Sequence, residues 1–199
     1  MNSAVFLDRD GVINRKPAEG RYVTSWEEME LLPGVVESIA LLNQAGFCVI
    51  VITNQRCVAK GLITAADLEE MHRQMSEALA RSGATVEGVY YCPHDLTPPC
   101  QCRKPAPGML FDAARSRGID LRSSWMIGDS DIDVEAGRRA GCKTVLLLET
   151  GAAIEPPEGQ GTAAGSADIV ASSLHEAVRQ ILYRVGVAVG SSTADPAIK

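Results

Sequence analysis

Two carboxylates, Asp8 and Asp10, stand two residues apart and are followed at once by Gly11. Glycine permits a tight turn at that point, so both acids can face one crevice. Such a pair suits a nucleophile beside a general acid and base, provided a cation offsets their repulsion. Three further stretches carry matching chemistry. Thr53-Asn54-Gln55 offers a hydroxyl and, read as the lead-in to a helix, backbone N–H groups for phosphate oxygens. Arg103-Lys104-Pro105 places two cations ahead of a proline. Gly128-Asp129-Ser130-Asp131-Ile132-Asp133 gathers carboxylates at a helix start, and a set of oxygen ligands points to magnesium. Each stretch alone also fits a helix cap or a solvated loop.

A second constellation is softer. Cys92-Pro93-His94 is followed by Cys100-Gln101-Cys102, which gives three sulfur ligands and one imidazole in two close pairs. Four such ligands close a tetrahedral zinc shell with no open position, so the expected zinc is structural. Arg103 and Lys104 follow the last ligand directly, and anchoring the loop would fix both cations. Two of the three remaining cysteines fit this picture. Cys48 and Cys142 lie in or beside apolar segments and give no sign of a secreted disulfide framework.

These residues need elements to hold them. Short apolar runs recur at Ala4 to Leu7, Cys48 to Ile52, Val86 to Tyr91, Trp125 to Ile127 and Thr144 to Leu148, with Asp168 to Ala171 weaker. Between them, Val35 to Ala45, Ala65 to Ser82, Gly108 to Arg117, Asp133 to Ala140 and Leu174 to Tyr183 carry helical spacing. Strand alternating with helix predicts an α/β fold with a doubly wound parallel sheet, whose ligands bind beyond the carboxyl ends of the strands. The carboxylate pair, the hydroxyl, the lysine and the acidic cluster follow those strands in order, which favours one shared site over separate caps.

With 199 residues and 46% hydrophobic content, one sizeable core is expected: a single domain over 1–185 carrying the zinc loop at 92–102, and a tail at 186–199. Gly151 to Gly165, rich in small residues and proline, reads as a loop outside the site. A net charge of -6 opposes a nucleic-acid surface. Acids cut the Ala4 run far short of a signal or membrane length, so the expectation is a cytoplasmic protein, and separately a monomer. His72 and His175, on predicted helices, read as ordinary surface or boundary residues.

Asp8-x-Asp10-Gly11, Thr53-Asn54, Lys104 and Gly128-Asp129-x-x-x-Asp133 resemble the four motifs of the haloacid dehalogenase superfamily, over about Ala4 to Leu182. The zinc quartet, with Pro107-Gly108-Met109, Ile13-Asn14 and Tyr22-Val23, resembles its zinc-bearing branch of heptose bisphosphate and histidinol phosphatases, the heptose members more closely. The resemblance implies that Asp8 forms an aspartyl phosphate and that Asp10 protonates the leaving oxygen, then deprotonates water. Thr53 and Lys104 would hold the phosphoryl group, and Asp133 would orient Lys104. Asp8, the Asp10 carbonyl and Asp129 would hold magnesium.

No large insertion follows Gly11 or separates Lys104 from Asp129, so loops, not a cap domain, are expected to recognise a small substrate. The implied contacts are Glu19, Arg21, Tyr22, Asn54, Gln55, Arg56, Arg103 and Ser130. Arg15, Lys16, Arg21, Arg56, Lys60 and Arg103 could surround a second phosphate, which favours a sugar bisphosphate, and the resemblance implies a heptose 1,7-bisphosphate losing its 7-phosphate. The alternative is histidinol phosphate or another small monoester. One departure stands out: Arg56-Cys57 replaces the family's usual small residue and glycine, and a positive φ at Cys57 would strain the loop.

Overall fold

The computed structural model describes residues 2–148 and 167–187. Six strands, β1 (Ala4–Leu7), β2 (Cys48–Asn54), β3 (Gly88–Cys92), β4 (Trp125–Gly128), β5 (Lys143–Leu147) and β6 (Ile169–Ala171), form one parallel sheet in the order β3-β2-β1-β4-β5-β6. The order reverses between β1 and β4. A crevice therefore opens where their carboxyl ends diverge, and Asp8 and Asp129 are the residues that follow those two ends.

Alternation along the strands sorts the core into two layers. Val5, Leu7, Val49, Val51, Trp125 and Ile127 face one way, and pack with α1 (Val35–Gln44), α2 (Ala65–Arg81) and α5 (Leu174–Arg184). Ala4, Phe6, Ile50, Ile52 and Met126 face the other, and pack with α3 (Gly108–Arg117) and α4 (Asp131–Ala140). Strands covered on both faces read as continuous apolar runs, which is why the sequence shows them so plainly. The helix starts are set locally: Thr64 and Asp67 exchange a capping box at α2, and Ser173 accepts from the Glu176 N–H at α5.

Two boundaries differ from the sequence reading with consequences for the site. Strand β2 runs on through Thr53 and Asn54, while α2 begins at Ala65, where its spacing predicts. The segment after Gln55 is thus a series of turns, with Lys60 N–H bonded to Arg56 O and Leu62 N–H to Cys57 O, and no helix N-terminus stands there to receive phosphate. Helix α4 starts at Asp131, two residues early, with Ser130 as its N-cap. Among the described residues no cap-sized segment follows Gly11 or interrupts β3 to β4; the loop at 93–107 is the insertion there. The expected loop at Gly151 to Gly165 and all but Gly186 and Val187 of the expected tail lie outside the described residues.

Candidate active site

Asp8 leaves β1 with its N–H donating to Ile127 O at 2.9 Å, so the backbone of β4 sets its position. Its Oδ1 accepts from the Arg9 N–H and lies 2.7 Å from Lys104 Nζ. Lys104 is buried, and its ammonium also lies 2.6 Å from Asp133 Oδ1 and donates to Ile52 O at 2.9 Å. Two carboxylate oxygens and one carbonyl oxygen thus surround the ammonium. Burial pushes the Asp8 carboxyl up to about 7, with Lys104 opposing and Asp133 and Asp10 reinforcing the shift. Burial also opposes charge on Lys104, but Asp8 and Asp133 overcome it and raise that pKa.

Lys104 is held from behind as well. The Asn54 side chain accepts from the Lys104 N–H at 3.0 Å and donates to its C=O at 3.2 Å. Both amide ends of Asn54, expected at the substrate, are thus turned onto the lysine backbone. Ser130, another expected contact, donates its hydroxyl to Asp133 Oδ2. Gly128 is obligatory beneath this pair, because a Cβ there would overlap the Asp133 side chain.

Asp10 is surrounded by donors. Arg9 Nη2 reaches its two oxygens at 3.0 and 2.9 Å, Arg9 Nε donates at 3.1 Å, Asn14 Nδ2 at 2.9 Å and Gln55 Nε2 at 3.0 Å. Gln55 also donates to Thr53 Oγ1 at 2.8 Å, so this buried amide links β2 to the Asp10 turn. Arg9 is fully buried and places Nη1 3.0 Å from His72 Nε2. The arginine can only donate, so His72 accepts as a neutral imidazole, and burial first and Arg9 second lower its pKa to about 3. This corrects the sequence reading of His72 as a surface or boundary residue; exposed His175 fits it.

Asp129 completes the cluster. One oxygen from each of Asp8, Asp129 and Asp133 lies within 4.8 Å of the others, a set of hard ligands that fits magnesium. Burial raises the Asp129 pKa against the pull of Lys16, whose Nζ lies 2.6 Å from Oδ2. Gly11, at φ +97°, brings the turn so close that a Cβ would overlap the Asp129 carboxylate.

The second cluster fits zinc by distance. Cys92 Sγ lies 3.5 Å from Cys100 Sγ and 3.6 Å from His94 Nδ1; Cys102 Sγ lies 3.4 Å from Cys100 Sγ and 3.2 Å from His94 Nδ1. Zinc–sulfur bonds of about 2.3 Å at tetrahedral angles put sulfurs roughly 3.8 Å apart, close to this spacing. A disulfide needs about 2.05 Å, and all these thiols are free.

The outer loops are less convergent. Glu19 and Arg21 are exposed and Tyr22 is half-buried under Lys60, whose Nζ lies 5.5 Å from its ring centre. Arg56 pairs with Asp95 of the zinc loop at 2.5 Å, and Arg103 reaches His94 O only at 3.5 Å. Arg15 pairs with Glu30 at the surface. No non-glycine residue among those described has positive φ, so Cys57 is unstrained: it is buried with Sγ 3.5 Å from Gln55 Oε1.

Sequence reasoning missed Arg9 and did not foresee that Gln55 bonds Asp10 and Thr53 or that Ser130 bonds Asp133. Arg9 had a signal: if Asp8 and Asp10 face the crevice, strand-like alternation sends the residue between them inward, where a guanidinium needs acceptors.

Comparison with known proteins agrees in family. A model described as HAD-hydrolase-like matches residues 101–177. The D-glycero-beta-D-manno-heptose-1,7-bisphosphate 7-phosphatase of Pseudomonas aeruginosa is 43% identical over 145 residues, 73% of this chain and 80% of that protein. The Yersinia pestis protein of the same name is 34% identical over 188 residues, 91% of this chain and 96% of that one. A crystal structure of D,D-heptose 1,7-bisphosphate phosphatase from B. bronchiseptica, complexed with magnesium and phosphate, superposes with a TM-score of 0.79 at 37% identity, covering 92% of this chain and 99% of that one.

Proposed function

This chain belongs to the family of the heptose-1,7-bisphosphate 7-phosphatases, hydrolases of the haloacid dehalogenase superfamily, and from that premise we propose how its residues release phosphate. It is a phosphatase working through an aspartyl phosphate, and its substrate is D-glycero-D-manno-heptose 1,7-bisphosphate, from which the 7-phosphate leaves. The observation that carries the residue assignment is the meeting of Asp8, Asp129 and Asp133 around the buried Lys104 at the point where the strand order reverses.

In this reading Asp8 attacks phosphorus, while Asp10, fixed by Arg9, Asn14 and Gln55, gives a proton to the leaving sugar oxygen. The same Asp10 then takes a proton from the water that cleaves the aspartyl phosphate. Lys104 neutralises Asp8 before the phosphate arrives, and can turn an N–H from a carboxylate to a phosphoryl oxygen as that charge develops. Thr53, whose hydroxyl accepts from Gln55 and keeps its own proton to give, would be a further donor. Magnesium, held by Asp8, Asp129 and the Asp10 carbonyl, would supply charge neutralisation for the transferring group. Zinc on Cys92, His94, Cys100 and Cys102 would stiffen the loop carrying Arg103 and Lys104.

Sugar recognition falls to Glu19, Arg21, Tyr22, Arg56 and Arg103, with Arg103 the choice for the remaining phosphate because a guanidinium grips oxygens bidentately. Asn54 and Ser130 are assigned to positioning Lys104 and Asp133. The chain is proposed to work as a monomer of one domain over 1–185, in the cytoplasm, in carbohydrate metabolism serving lipopolysaccharide biosynthesis. No helix among the described residues is long and apolar enough to cross a membrane.

Phosphate release from heptose bisphosphate, fructose bisphosphate and histidinol phosphate, compared by kcat/KM, tests the reading. Heptose bisphosphate should be hydrolysed best, Asp8→Asn should abolish turnover, and Asp10→Asn should slow it by roughly 10²- to 10⁴-fold. A preference for histidinol phosphate would overturn the substrate, and normal turnover by Asp8→Asn would overturn the mechanism.

A further inference from the structure

The four acids of the site are served unequally. Arg9 neutralises Asp10, whereas Lys104 is a single cation shared by Asp8 and Asp133. Asp129 stands within 4.8 Å of that pair, so three carboxylates crowd around one ammonium unless another charge joins them. Lys16 is that charge. Its Nζ lies 2.6 Å from Asp129 Oδ2, 113 residues away in sequence, and reaches it from the segment that follows the Gly11 turn. The carboxylate is mostly covered, at 14% exposure, while the lysine is 57% exposed.

We propose that Lys16 is a tethered counter-cation that shares Asp129 with magnesium: it covers the carboxylate while the metal is away and yields it when the metal binds. The inference rests on the magnesium reading above and adds a residue to it. Repulsion among Asp8, Asp129 and Asp133 would otherwise favour taking up a proton or moving apart, so a resident ammonium keeps the carboxylates together. A lysine suits the task because its compact charge rides a flexible four-carbon stem and can leave without moving the backbone. Room to leave is present. A cavity of about 720 Å³ lined by Gly11, Lys16, Leu32, Asp129, Leu147 and Ser173 lies beside the ion pair.

The exchange has a thermodynamic signature. Magnesium must displace the ammonium, so its affinity is lowered by the strength of the Lys16–Asp129 contact. For a pair with one exposed member that amounts to roughly threefold to fivefold. Calorimetric titration of the full chain with magnesium, in chelator-free buffer so that the second metal stays in place, should show Lys16→Met binding about fivefold tighter than the unaltered chain. Lys16→Arg should stay nearer the unaltered value. Without magnesium, Lys16→Met should melt below the unaltered chain, and saturating magnesium should close the gap. In the unaltered chain the Lys16 Cε resonance should move on magnesium addition, a measurement that needs no folded variant. An affinity unchanged or weakened in Lys16→Met with a native circular dichroism spectrum, or a Lys16 resonance that stays fixed while magnesium binds, would overturn the proposal alone. Failure of the unaltered chain to bind magnesium would overturn the metal reading and this inference with it.

Discussion

Replacing Asp133 by Asn tests whether the buried ion chain, and not the shape of the pocket, fixes Lys104. The substitution is nearly isosteric, and its bonds can be preserved: the amide oxygen can face Lys104 while the amide nitrogen donates to Ser130, whose hydroxyl turns to accept. What remains is the loss of one charge 2.6 Å from an ammonium that is 1% exposed. At an effective dielectric constant of 20, the bare attraction at that distance is about 6 kcal/mol. Relief of the Asp133 desolvation returns part of it, and Lys104 keeps Asp8 as a partner. The net cost should therefore be about 3 kcal/mol, the lower end of what breaking a buried pair costs. Urea unfolding in saturating magnesium reads this directly. With Lys104 less well aimed, kcat/KM for a small aryl phosphate should fall by roughly 10- to 100-fold, as for other supporting residues. Asp133→Ala, which removes the hydrogen bonds too, should be worse on both measures. An Asp133→Asn protein within about 0.5 kcal/mol of the unaltered chain, the usual scatter for innocuous sites, and with unchanged kcat/KM would refute the reasoning.

Three further expectations follow from the same geometry. Gly11→Ala should weaken magnesium binding by at least about tenfold, the equivalent of 1.4 kcal/mol, because its Cβ would overlap the Asp129 carboxylate; Gly141→Ala, also at positive φ but with open space around it, should leave the affinity alone. His72 titrates near 3 in the fold against 6.5 when free, so the unfolded chain binds the extra proton between those values, and stability contributed above about pH 6.5 is lost as pH falls toward 3. The stability difference between the unaltered chain and His72→Gln should accordingly shrink from pH 7.5 to 5, and a constant difference in urea titrations would contradict a neutral His72 against Arg9. Metal analysis of freshly purified, reduced protein should find about one zinc per chain, and Cys100→Ser should lose it together with thermal stability; an equally stable, zinc-free Cys100→Ser protein would remove the structural role.

The site was legible where chemistry coincides with the end of an apolar run. Asp8, Lys104, Asp129 and Asp133 are read from sequence because carboxylates and a lysine have few other reasons to recur at successive strand ends, and the structure brings them together. The runs themselves were plain because a parallel sheet covered on both faces cannot alternate with polar residues. What the sequence could not give is direction. Asn54 and Gln55 lie where substrate contacts were expected, yet one turns to the Lys104 backbone and the other to Asp10, since a side-chain amide serves whichever partner the neighbouring loop supplies. His72 was hidden for a related reason. Its partner Arg9 lies 63 residues away in sequence, and only the packing of α2 on the sheet makes them neighbours.

The loop between β3 and α3 is fastened at two places that do not depend on its interior. Cys92 belongs to β3, and Lys104 is gripped by Asn54 and Ile52 of β2, so both ends are registered to the sheet. Residues 93–103 are thus a span between fixed abutments. Changes of length or composition between its zinc ligands, at 95–99, can redraw the rim of the pocket while the ammonium beside Asp8 stays where it is. Specificity can drift here at little cost to the chemistry, and exchanging this span between relatives is the shortest route to a phosphatase with a different appetite.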